Sequence, residues 1–206
     1  KKKQTIIFYK RNIMLKEYTP EEAKKIREVE LFDDRNIRDD FKGMSHEDIV
    51  KNMPKNNLVA VCSNRIRDFN WGTVVRNANA FGLDRVIFTG KRRYDRRGTV
   101  GAHHYSTVEY KEDIFNVIQE YKNKGYRIVA AEYDERYVMN NLYEYSWDEN
   151  TVIIFGEEGI TLDDEILQEC DDIVMIPMWG TVRSINVGTA SGVMFSHFAT
   201  QHTPMS

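Results

Sequence analysis

The sequence predicts an α/β fold: a mostly parallel sheet with helices on both faces. Three observations carry that expectation. From about residue 57 onward, short apolar runs alternate with amphipathic segments of helical period, the order of strands joined by helical crossovers. One such junction, between an apolar run at 173–176 and an apolar, small-residue segment at 187–198, collects Gly180, Ser184 and Asn186. Open α/β sheets bind ligands at such carboxyl strand ends. Finally, 206 residues with 41% hydrophobic and 30% charged side chains suit one main domain with a sizeable core, plus a small appendage.

Taken in order, residues 1–55 differ in pattern from the rest. Residues 5–9 form a candidate short strand. Thr19-Pro20-Glu21-Glu22 reads as a capping box with proline at the first helical position. Ala23, Ile26, Val29 and Phe32 then continue one apolar helical stripe. Ser45-His46-Glu47-Asp48 opens a second short helix carrying Ile49, Val50 and Met53, which stops near Pro54. We therefore expect an N-terminal extension of mainly short helices over 1–55 and the main domain over 56–206.

Within that domain the pattern predicts a strand at 58–62, a helix over 74–81 ended by Gly82, and a strand at 86–88. An amphipathic helix follows over 113–124, with Gly125 as its stop. Strands are expected at 127–133, 151–155 and 173–176, with a helix over 162–169 between the last two. The segment 187–198 reads as a packed helix. Neither Gly-x-Gly-x-x-Gly after the first strand nor a Gly-rich loop ending in Gly-Lys-Ser/Thr is present, so ordinary dinucleotide and P-loop sites lose support.

No apolar run approaches membrane-spanning length, and the N-terminus shows no signal-peptide core. The two cysteines, Cys62 and Cys170, suggest neither a disulfide scaffold nor a metal site, and the five histidines are scattered apart from His103-His104. A cytoplasmic protein without metal or membrane is expected. The net charge of −3 counts mildly against a phosphate-rich partner, but its distribution matters more. Lys91, Arg92, Arg93, Arg96 and Arg97 crowd around Tyr94 directly after a predicted strand. That position makes them a candidate RNA-contacting loop.

Three ordered motifs sharpen the reading. The first is Asn70-Trp-Gly72-Thr-Val-Val-Arg76. The second is Phe155-Gly156-Glu157-Glu158-Gly159-Ile-Thr161, and the third is Ile176-Pro177-Met178 followed by Ser184-Ile185-Asn186-Val-Gly188. Together they resemble the motifs of the SpoU/TrmH branch of the SPOUT RNA methyltransferases. Two departures stand out: Thr161 replaces the second glycine of a Gly-x-Glu-x-x-Gly loop, and Gly188 stands where the family often has serine. The resemblance spans roughly residues 57 to 198.

That resemblance implies a deep C-terminal trefoil knot, which general rules of chain threading would rank as very rare. It also implies S-adenosylmethionine as cofactor, tRNA or rRNA as substrate and methyl transfer to a ribose 2′-hydroxyl. Phe155, Gly156, Ile176, Met178 and Ile185 would line the cofactor pocket, and the strand end at Ala130-Ala131-Glu132 would add a wall. Arg76 matches the family's catalytic arginine, with Asn70, Glu158, Ser184 and Asn186 around it. A guanidinium stays protonated and is a poor base, so we favour phosphate binding and alkoxide stabilisation for Arg76 over proton abstraction.

Each of these residues also has a plainer reading. Asn70 is a natural helix cap, Ile176 and Ile185 suit ordinary core packing, and Glu157 reads as solvated. Thr161 is placed to cap the helix at 162–169. Small residues in 187–198 fit either a homodimer interface, as the family has, or a monomer's own core. Two rival functions stand beside ribose methylation: a non-catalytic RNA-binding protein retaining the knotted cofactor fold, and a related enzyme methylating a base nitrogen.

Overall fold

The computed structural model of the chain describes Glu21 and residues 37–65, 69–157 and 159–202. Two compact units divide it, Lys1–Ser45 and His46–Ser206. In the first, Glu21 is helical and Asp39–Phe41 form one turn of 3-10 helix. The rest of the expected helix at 19–32, and the strand at 5–9, lie outside the described residues.

The second unit is organised on β1 (Asn56–Asn64), β2 (Leu83–Gly90), β3 (Val108–Lys111), β4 (Arg127–Ala131), β5 (Asn140–Asn141), β6 (Thr151–Phe155) and β7 (Asp172–Met175). They form one sheet in the order β3-β2-β1-β6-β4-β7-β5, and every pairing is parallel. Its described helices are α1 (His46–Asn52), α2 (Trp71–Ala80), α3 (Ile114–Asn123), α4 (Asp164–Glu169) and α5 (Val187–His202).

The side-chain alternation of β1 explains why helices cover both faces. Leu58, Ala60 and Cys62 pack with α2 and α5, while Val59 and Val61 pack with α3 and α4. Both sides of the strand are buried, so its apolar run is uninterrupted. The α/β class expected from the sequence holds.

Register then fixes the functional edge. Cys62 pairs with Phe88 on one side and Phe155 on the other, and Ala131 pairs with Phe155 and Val174. The carboxyl ends of β2, β1, β6, β4 and β7 therefore lie along one edge.

Several boundaries differ from expectation for local reasons. Helix α2 begins at Trp71 rather than 74, because the fully buried indole belongs to the core beneath it. Helix α4 begins at Asp164 rather than 162. The Leu162 amide donates to Glu132 Oε2 at 3.0 Å and its side chain is buried, which pins Leu162 to the strand end ahead of the helix. The unexpected strands β3 and β5 are the two sheet edges, where Val-Glu-Tyr-Lys and Asn-Asn need no continuous apolar run.

One close approach sets where α2 lies. A Cβ on Gly72 would sit 2.5 Å from the carbonyl oxygen of Asp95 and 2.9 Å from the Cα of Gly98. The first turn of α2 thus touches the backbone of the 3-10 turn Arg96–Thr99. Helix propensity alone predicts that Gly72→Ala stabilises, by at most about 1 kcal/mol. The backbone clash predicts a net loss of about 1–3 kcal/mol, and the sign of the shift in urea unfolding decides between them.

At the opposite end of β4 and β7, Arg127 Nε donates to Asp172 at 2.5 Å and the Tyr145 hydroxyl donates to it at 2.6 Å. Burial pushes this carboxyl up, but the two donors outweigh burial and hold it below the usual aspartate value. Its contribution to stability is complete above about pH 4, the ordinary aspartate value, and is lost as pH falls through the depressed one. Below about pH 4 the wild type should lose stability more steeply than Asp172→Asn. Parallel acid limbs in urea melts would assign the loss to other groups.

Candidate active site

The first and third motifs meet at the starts of two helices. Asn70 occupies the N-cap position of α2 in a helical backbone conformation, and its side chain makes no cap hydrogen bond. Instead its Oδ1 accepts from Asn186 Nδ2 at 2.8 Å. Asn186 Oδ1 accepts from the amides of Gly188 and Thr189 at 2.9 and 3.3 Å, and its carbonyl accepts from Ala190 N at 2.9 Å. One asparagine caps α5 and grips the cap residue of α2, so the plain capping role falls to Asn186 rather than Asn70.

Below that bond the helices touch through small residues. A Cβ on Gly188 would lie 2.9 Å from Thr73 Cβ, and Asn77 Nδ2 donates to Gly188 O at 2.7 Å and to Ser191 Oγ at 3.0 Å. Gly188, the departure from the family's serine, is therefore a packing position within this chain. Beside the contact runs a groove of about 740 Å³, lined by Thr73, Asn77, Thr189, Val193, Ser196 and His197 among others.

Arg76 follows from helical phase. Trp71, Val74, Val75 and Ala78 face the core, while Thr73 and Asn77 face α5. Arg76 is left exposed on the outer side, with no hydrogen bond or ion pair to a described residue. Ser184 is exposed and Ile185 half-buried in the segment leading to Asn186.

The cationic loop lies against the same helix start. The fully buried Asn64 donates from Nδ2 to the carbonyls of Lys91 and Arg93, at 2.5 and 3.0 Å. Tyr94 stacks on Phe88 with centroids 4.5 Å apart. These anchors hold the backbone and leave Lys91, Arg92, Arg93 and Arg96 exposed. Arg97 pairs with Asp95 at 2.5 Å and lies over the half-exposed ring of Phe69, 5.5 Å from its centroid. Four of the five expected RNA-contacting cations thus carry no described ion pair.

The second motif turns back at the end of β6. The Phe155 side chain packs edge-on against Phe195 in the core, so any part it plays toward a ligand belongs to its backbone. A Cβ on Gly156 would lie 2.9 Å from the carbonyl oxygen of Ile160. Gly159, at φ 77°, completes the turn, in which Ile160 N donates to Glu157 O.

Two expectations about this loop fail. Glu157 is buried, at 5% exposure, rather than solvated, since the turn folds it inward. Thr161 is exposed, and the cap position of α4 is taken by Asp163, which ion-pairs with Arg65. Glu158 lies outside the described residues.

Glu132, at the end of β4, joins the loops. Its backbone amide donates to Val174 O at 3.3 Å, and its carboxylate accepts from Leu162 N. The 156–162 turn and the β7 end are therefore tied to one residue between them. Ile176 and Met178, in the segment that follows β7, are half-buried. A glycine-tight turn, half-buried apolar side chains and strand-end backbone groups form a donor set that fits an adenosyl group.

Among the described residues, no three His, Cys, Asp or Glu side chains group as metal ligands, and no helix is long and apolar enough to cross a membrane. Burial pushes both thiols up, Cys170 to about 12, which removes them as nucleophiles near neutral pH.

An all-parallel sheet gathering two helix starts, a tight glycine turn and a cationic loop at one carboxyl edge defines an α/β protein built to bind there. The SpoU rRNA Methylase family model matches residues 57–196, and the chain belongs to that family. It is 28% identical over 141 residues to the tRNA (guanosine(18)-2′-O)-methyltransferase of Aquifex aeolicus, covering 66% of each protein. The crystal structure of the A. aeolicus TrmH/SpoU tRNA modifying enzyme superposes with a TM-score of 0.66 at 24% identity, over 76% of this chain and 83% of that one. The SpoU methyltransferase AviRb from Streptomyces viridochromogenes, solved in complex with AdoMet, gives 0.63 at 19% identity, over 73% and 60%. The chain spans between 43 and 66% of the lengths of eight curated relatives that it matches.

The Asn70–Asn186 bond makes a quantitative prediction. Asn70→Ala removes the bridge, at about 1 kcal/mol, whereas Asn186→Ala removes bridge and cap, at about 2 kcal/mol. A double-mutant cycle should return a coupling of about 1 kcal/mol; a value near zero would mean the two side chains act independently.

Proposed function

We propose that the protein transfers a methyl group from S-adenosylmethionine to a ribose 2′-hydroxyl of tRNA or rRNA. The observation that carries this reading is the Asn186–Asn70 hydrogen bond, which joins two motifs far apart in the chain and leaves Arg76 projecting outward on α2. Family membership and the names of the relatives support the same reaction.

S-adenosylmethionine supplies an electrophilic methyl carbon on a sulfonium. The backbones at Phe155 and Gly156, with Ile176, Met178 and Ile185, are the groups that would hold it. Arg76 binds the phosphate next to the target ribose and stabilises the charge that grows on the 2′-oxygen as its proton leaves to that phosphate or to water. Ser184, Asn70 and Asn186 position that arrangement, together with Glu158 as the motif's acid. Lys91, Arg92, Arg93, Arg96 and Arg97 hold RNA phosphates on the neighbouring edge.

Further parts of the reading rest on the family and the fold. Residues 1–55 are an extension to a methyltransferase domain over 56–206. The insertion of β7 between the earlier strands β4 and β5 supports a C-terminal trefoil knot. The groove along α2 and α5 supports a homodimer, in which a second copy covers Val193 and His197 and completes the substrate site around Arg76. The proposed action on tRNA or rRNA supports a cytoplasmic location.

Nucleoside mass spectrometry of tRNA and rRNA from cells lacking the protein should show one ribose methylation missing, and purified protein with S-adenosylmethionine should restore it. Loss of a base methylation with all ribose marks intact would reject the reading. Arg76→Ala should lower transfer by at least about a hundredfold, on the order of one lost electrostatic stabiliser, with cofactor affinity within a few fold. Equal loss of cofactor binding would remove Arg76 from the RNA side.

A further inference from the structure

The tryptophans of this chain divide sharply. Trp71 is fully buried and Trp147 is 4% exposed, whereas Trp179 is 85% exposed. Nothing in a core or cap accounts for so large an apolar ring in water. Its position is informative: it lies in the irregular segment between β7 and α5, which begins at the carboxyl edge of the sheet and ends at Asn186. Arg183 and Val182, in the same segment, are also exposed, and Arg183 has no hydrogen bond or ion pair to a described residue. Phe69, at 52% exposure, immediately precedes Asn70 and is covered by Arg97. An exposed aromatic therefore precedes each asparagine of the Asn70–Asn186 bond, Phe69 with Arg97 of the cationic loop over its ring and Trp179 with Arg183 in its own segment.

We propose that Trp179 is a stacking platform for an unpaired nucleobase of the RNA, next to the ribose presented to the site. This rests on the reading of the protein as an RNA ribose methyltransferase. Methylation of a 2′-hydroxyl uses no atom of the base, so the site can hold the nucleotide by its π-face without reading its edge. Aromatic stacking does this for every base, and single-stranded RNA is held in this way by exposed aromatics and guanidinium planes. The cationic loop grips phosphates, and Trp179 fixes the direction in which the base, and hence the sugar, points.

The burial pattern supplies its own probe. Trp71 and Trp147 emit from the core, so the long-wavelength, acrylamide-quenchable part of the intrinsic fluorescence belongs to Trp179. The full chain is titrated with a single-stranded oligoadenylate of eight nucleotides and with an abasic ribose-phosphate chain of the same length. The oligoadenylate should quench the exposed emission and protect it from acrylamide, while the abasic chain binds through charge without quenching. Trp179→Ala should weaken oligoadenylate binding on the order of ten- to a hundredfold, Trp179→Phe should restore most of it, and S-adenosylmethionine affinity should be unchanged in both.

Equal quenching by the abasic chain would overturn the proposal. So would quenching by S-adenosylmethionine alone, which would make Trp179 a cofactor wall, or shielding from acrylamide in the free protein, which would place the ring under a second copy. Methyl transfer to bulk RNA separates this proposal from its premise. Transfer by Trp179→Ala with wild-type KM sinks the stacking platform and leaves the methyltransferase standing. Base-dependent quenching by a wild type that transfers no methyl group keeps the platform and sinks the enzyme.

Discussion

The contact between α2 and α5 is the constraint on which the arrangement of the site depends. It consists of the side-chain bridges Asn186 to Asn70 and Asn77 to Ser191, and a line of small residues that lets two helix backbones approach. Because Asn186 also caps α5, the start of that helix cannot move without breaking both its own cap and the grip on α2. Thr73 and Asn77 extend the contact by one further turn on the face next to Arg76. The orientation of that exposed arginine is thus set by neighbours it does not touch. The departure at Gly188 makes sense in these terms, since any side chain there would press on Thr73.

The parallel sheet supplies the rest of the geometry. When every pairing is parallel, all carboxyl ends fall on one side, and each loop leaving that side is a potential part of one site. Asn64, Glu132 and the end of β6 show how such loops are held. A buried amide fixes the cationic loop after β2, and one carboxylate ties the 156–162 turn to the end of β4. These anchors are short polar side chains at strand ends, whose backbone partners lie on other segments.

That is also where the sequence was hardest to read. The strands and helices of the interior were legible because burial on two faces writes itself as apolar runs and helical stripes. The edge strands β3 and β5 were not, since an edge asks little of its residues. Asn70, Arg76 and Asn186 stand out through the resemblance of their motifs to a known family, but not the fact that one asparagine caps α5 and also grips the first residue of the other motif. Glu157 misled because a carboxylate beside a glycine turn ordinarily faces water, and only the fold of the turn brings it inside. Thr161 looked like a cap until Leu162 proved to be held by Glu132, which delays α4 by two residues and gives the cap position to Asp163. The bridge at Asn186 and the delay of α4 at Leu162 depend on partners distant in sequence, which local pattern does not encode.

The exposure of Arg76 carries a last consequence for the proposed chemistry. In bulk water two unit charges 4 Å apart attract by about 1 kcal/mol, and by about 4 kcal/mol at the effective dielectric of a protein surface pair. A solvated guanidinium on the outside of α2 is therefore a weak stabiliser of an alkoxide as the single chain stands. It gains strength only when something displaces the water around it. The RNA backbone would do part of this in the proposed complex, and a second copy seated along the α2–α5 groove would do more. On this reading the site reaches catalytic strength only when assembled, because one chain supplies the charge and the covering partners supply the low dielectric in which that charge acts.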